Sequence, residues 1–133
     1  MGQHTEVLKM THSIMGEWMG SFYGPDGVRQ DYYLFLEHTM QYERRVRVDG
    51  GREQIDRGHW KCHEKEQVLQ LVSDSFDENR RNIDRYWILS IHTCETSNSL
   101  LVLRAAIVAS RNLPILFYRV HNYRREHALD WED

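Results

Sequence analysis

Three arginines sit at positions that read as strand interiors: Arg44, Arg104 and Arg119. A guanidinium turned into an apolar interior needs a carboxylate partner or an anionic ligand, because an unpaired buried charge is costly. Arg119 and His121 alternate with Phe117, so one face of that segment combines a basic spot with an aromatic wall. Such a face suits a carboxylate or phosphate on an apolar body. Arg44 lies on the same face of its segment as Tyr42, Val46 and Val48, and it poses the same choice.

Eight histidines offer metal or proton chemistry, with the tightest group at His59, Cys62 and His63. Strand alternation turns His59 and His63 outward and Gly58, Trp60 and Cys62 inward, so this segment supplies no three-ligand metal site. Glu37 with His38, and Asp84 with His92, could act as acid–base pairs only if the fold brought them together. Gly50-Gly51 lacks the rest of a phosphate loop, and no serine occupies a nucleophile elbow. The sequence therefore supports no dedicated reaction, and binding without transformation is the expected role. Arg44-Arg45-x-Arg47 and Arg80-Arg81 have acids close by, and the net charge is −3. Neither a nucleic-acid nor a membrane partner is expected.

The elements that must position these residues are mostly strands. A short helix is expected over 5–15, with Val7, Met10, Ile14 and Met15 near one face and Gly16 as its stop. Strands are expected over 16–23, 28–37, 39–48, 54–63, 68–73, 85–95, 100–109 and 115–123. Turn signals separate them at Gly24-Pro25-Asp26-Gly27, Asp49-Gly50-Gly51 and Thr96-Ser97-Asn98. Hairpin-sized connectors pair neighbours in order, and closure removes exposed edges. The expected fold is all-β: an antiparallel up-and-down barrel of about eight strands behind a short N-terminal helix, one domain over 1–133. The tail from Arg124 is charged and frays or adds a short helix.

Residues 100–109 are apolar on both faces, so the outer wall there needs a cover. The N-terminal helix or a homodimer interface would supply it. The start, Met1 to Met15, carries His4, Glu6, Lys9 and His12 and does not read as a secretory signal. Two cysteines, Cys62 and Cys94, are too few for a disulfide scaffold. A cytoplasmic setting is the expectation.

Gly16-x-Trp18 on the first strand, with Arg119 on the last, resembles the lipocalin and wider calycin pattern. That resemblance implies that Gly16, Trp18 and Arg119 close one end of the barrel. The lipocalin Thr-Asp-Tyr motif is reduced to Asp84-Arg85-Tyr86. The Arg-x-Tyr pair of fatty-acid-binding proteins becomes Arg119-Val120-His121. Gly16, Trp18 and Gly20 also resemble the opening of nitrobindin-like haem barrels, with Phe22 in place of a third glycine. Asp56 followed by Gly58, Trp60 and Lys61 resembles a second strand of that family. This second resemblance implies haem held by a late histidine, with His121 and His127 in that region.

The resulting expectation is an interior site for a small apolar or amphipathic ligand that could be anionic. Tyr32, Tyr42, Arg44, Trp60, Trp87, Phe117, Arg119 and His121 are the candidate lining residues. No cofactor is expected on that reading. Haem binding is one alternative, and a homodimeric interaction module is the other.

Overall fold

Side-chain alternation along each strand decides which residues fill the inside of a closed sheet and which form its outer wall. The computed structural model describes residues 9–24, 26–75, 83–92, 99–105 and 114–121. Helix α1 (Lys9–Ile14) leads into β1 (Gly16–Tyr23), β2 (Arg29–Leu36), β3 (Gln41–Val48) and β4 (Glu53–His63). Strands β5 (Val68–Ser73), β6 (Ile83–His92), β7 (Leu100–Ala105) and β8 (Ile115–Val120) follow. The eight strands pair antiparallel in sequence order, and β8 returns to β1 to close the barrel.

The order of the elements matches the sequence expectation, and a few boundaries differ. Residues 5–8 of the expected helix lie outside the described residues, as do 93–95, 106–109 and 122–123 of three expected strands. Strand β3 starts at Gln41 rather than Thr39. Met40 adopts φ 68, and its N–H donates to the Glu37 carbonyl at 3.0 Å, which makes a turn there.

The interior is apolar at one end. Trp18, Leu34, Leu36, Trp60, Leu69, Leu71, Leu101 and Leu103 are buried in one cluster, which Phe117 continues towards the other end. Helix α1 seals that end. Ile14 is fully buried there, and the Thr11 N–H and hydroxyl both donate to a Glu64 carboxylate oxygen at 2.8 Å. A first-turn N–H has no partner within its own helix, so Glu64 supplies the missing acceptor.

The described part of α1 packs on the closed end, and residues 106–109 of the two-sided apolar segment lie outside the described residues. The outer wall on either side of β7 keeps an apolar strip, with Trp87 at 42% and Leu89 at 45% exposure on β6 and Leu116 at 42% and Tyr118 at 58% on β8.

Candidate functional site

The sealed end is built around β1 and β8. Trp18 and Arg119 are paired across these strands, and the guanidinium lies 4.3 Å from the centre of the indole ring. Arg119 donates to the Met15 carbonyl at 2.8 Å and to the Ser13 carbonyl at 2.6 Å, while the Trp18 indole N–H donates to the Ile14 carbonyl at 2.9 Å. These three carbonyls belong to the end of α1 and its exit, so one stacked pair fastens the helix to the barrel. Burial lowers the Arg119 pKa from its ordinary value. Gly16 makes the arrangement possible. Its φ is +125, and a Cβ there would stand 2.9 Å from an Arg119 nitrogen.

The opposite end has a different character. Phe22, Tyr32, Arg44 and Asp56 face inward there, yet all are partly accessible. Tyr32 packs edge-on to Phe117 with ring centres 6.1 Å apart and tilted against Phe22 at 5.6 Å. This makes an aromatic wall on β1, β2 and β8. Across from it lies a polar cluster centred on Arg44. The guanidinium contacts Asp56 at 3.0 Å and Asp84 at 2.7 Å, and it donates to the Tyr86 hydroxyl at 2.8 Å. Asp56 also accepts from Tyr42 at 2.6 Å and from Ser73 at 2.5 Å. The choice posed by Arg44 is thus met by two carboxylates from β4 and β6.

The surroundings tune these groups. Burial alone would lower the Arg44 pKa, but Tyr86, Asp84 and Asp56 outweigh it and hold the pKa above its ordinary value. Burial pushes Tyr32 up to about 12. Burial and then the bond to Asp56 raise Tyr42, and burial raises Tyr86. All three phenols stay protonated and can donate hydrogen bonds at neutral pH.

Strand β4 reaches this cluster because Gly58 lets it run close to β5. A Cβ on Gly58 would collide with the Val72 carbonyl and lie 2.9 Å from the Tyr42 ring. Tyr42 and Gly58 are register partners, so the ring covers the bare backbone and its hydroxyl reaches Asp56.

Six of the eight candidate lining residues face the interior, in two groups. Tyr32, Tyr42, Arg44 and Phe117 lie around the cluster, whereas Trp60 and Arg119 belong to the sealed end. The Trp60 indole N–H donates to the Glu37 carbonyl at 2.9 Å. Trp87 is on the outer wall, because Tyr86 and Ile88 take the inward positions of β6. His121 is exposed beyond the end of β8, at the sealed end, and has no part in an interior basic spot with Phe117. Arg104 is exposed on the outer side of β7.

The residues that sequence reasoning did not assign to the pocket are Phe22, Asp56, Asp84, Ser73 and Tyr86. Asp56 was signalled by its alternation with Gly58 and Trp60. Phe22 alternates in the same way with Trp18 and Gly20, whereas Asp84 and Tyr86 carried no such signal, since β6 has a large aromatic on each face, and neither did Ser73 at the end of β5.

A haem iron needs an axial ligand. Among the described residues no histidine faces the barrel interior, and His127 lies outside them. His59 points outward, with its ring nitrogen 3.4 Å from Asp74, and Cys62 is a buried thiol that burial pushes up to about 11. The described interior therefore offers no imidazole to haem. No group of three or more metal-ligating side chains occurs among the described residues.

The outer wall carries a groove of about 600 Å³ across β8, β1, β2 and β3, lined by Met19, Tyr33, Arg45, Arg47 and Tyr118 among others. Its charges are interleaved. Arg45 meets Glu53 at 3.2 Å and Glu43 at 3.5 Å, and Arg57 meets Glu43 at 2.6 Å. The basic run of β3 is thus a ladder of ion pairs, with Arg44 turned to the inside.

A scan against protein-family models and a search of curated proteins both gave no match.

Proposed function

We propose that the barrel binds a small amphipathic molecule at its open end and does not transform it. The apolar body rests against Phe22 and Tyr32, which are backed by the buried Phe117, and the polar end meets the cluster of Arg44, Asp56 and Asp84. One observation carries this reading. Phe22, Tyr32, Arg44, Asp56 and Asp84 keep access to solvent at one end, whereas Trp18 and Leu36 are fully buried at the other. A barrel filled for stability alone has no use for an ionic cluster inside, since apolar residues of similar volume serve stability as well or better. Native mass spectrometry of the purified chain, before and after incubation with dansylamide, tests the reading. A one-to-one complex that Val46→Trp removes is expected, because Val46 faces inward beside Tyr32. A bare chain in both samples opposes it.

A second reading has its own observation. The exposed strip of Trp87, Leu89, Leu116 and Tyr118 on the outer wall fits a homodimer face. Light scattering should then show a dimer that Leu116→Lys dissociates. A monomer at all concentrations opposes this reading.

A further inference from the structure

The interior ion cluster is unbalanced, and the imbalance selects the ligand's head group. Arg44 supplies one positive charge, and Asp56 and Asp84 together supply two negative ones. An anionic head would meet a guanidinium whose Nη2 already holds both carboxylates and whose Nη1 is bonded to the Tyr86 hydroxyl, and it would add a third negative charge to a shielded site.

Asp84 is the reachable member. Its side chain is 50% exposed, against 21% for Asp56 and 17% for Arg44. It stands at the start of β6, where the interior opens. Phe22 and Tyr32 are partly accessible and pack on each other at the same end of the barrel, with the buried Phe117 behind Tyr32. Aromatic faces attract cations and have no such affinity for carboxylates.

Resting on the reading that the interior binds an amphipathic molecule, we infer that its ligand is an organic cation. A protonated amine would sit at Asp84, and its apolar body would lie along Phe22 and Tyr32. Arg44 acts here as a positioning residue. It holds Asp84 and Asp56 in place, leaving the site one net negative charge.

Three probes of one shape test this: phenethylamine, phenethyl alcohol and phenylacetate. Each is titrated into the isotope-labelled protein, and amide shifts on β1, β2 and β6 are followed. The amine should bind at least tenfold more tightly than phenylacetate, and its affinity should fall as salt rises. Asp84→Asn should remove the amine's advantage over the alcohol. Equal affinities for the three probes, or tightest binding of phenylacetate, would overturn the head-group inference and leave the interior site standing. If none of the three moves amides at the open end, the interior reading itself fails.

Discussion

The Arg119 guanidinium lies over the Trp18 ring and bonds two carbonyls at the exit of α1, so a single stacked pair joins the first strand, the last strand and the helix. Arg119→Met keeps much of the volume but loses the stack and both charged hydrogen bonds. A loss of roughly 2–4 kcal/mol is expected, read from urea unfolding. Trp18→Phe removes the bond to Ile14 and should cost less, about 1–3 kcal/mol. Equal stability of Arg119→Met and the parent would show that the pair does not fasten the end.

Gly16 and Gly50 separate two roles of glycine. Both have positive φ, but only at Gly16 would a Cβ press on Arg119, while nothing lies near Gly50. Gly50→Ala should cost on the order of 1 kcal/mol for the backbone alone. Gly16→Ala should cost more, because the guanidinium must also move, and it should shift Trp18 fluorescence. Matching costs at the two positions would remove the close-approach argument.

Arg44→Met leaves Asp56 and Asp84 without their cation. About 2–4 kcal/mol of stability should be lost, less than for a fully buried pair because both carboxylates keep some solvent. Asp84→Asn should cost under about 1 kcal/mol, since its side chain is half exposed. Thermal unfolding of the two variants checks the order, and a larger loss from Asp84→Asn contradicts the geometry.

Alkaline pH gives a fourth test. Burial raises Cys62 from 9.0 to about 11 and Tyr32 from 10.0 to about 12. The unfolded chain loses these protons first, so the native state binds more protons in that window. Stability should hold below pH 9.0 and decline as pH rises through about 11 for Cys62, and between 10.0 and about 12 for Tyr32. Cys62→Val should flatten the lower part of the decline in urea titrations. An unchanged slope would mean that Cys62 is not shielded.

The strand order was readable because each connector announces itself in residues that favour turns, and because Gly58, Trp60 and Cys62 alternate cleanly with His59 and Lys61. Alternation put Arg44 on one face with Tyr42 and Val46 but left open whether the guanidinium turns inward. Its partners did not follow, because cross-strand register is set by packing between segments distant in sequence. Strand β6 misled for a related reason. Tyr86 and Trp87 are both large aromatics, and nothing local decides which turns inward. His121 was placed by extending β8 past Val120, where the strand in fact ends.

The central claim is that the Arg44 end of the barrel is an accessible binding site. A fluorescence titration with dansylamide, run in parallel on the parent chain and Val46→Trp, tests it most directly. The account predicts blue-shifted emission that saturates at one probe per chain in the parent. It also predicts loss of that signal in the variant, with the strand circular dichroism unchanged. Emission that never saturates, or saturates equally in a folded Val46→Trp variant, would contradict it.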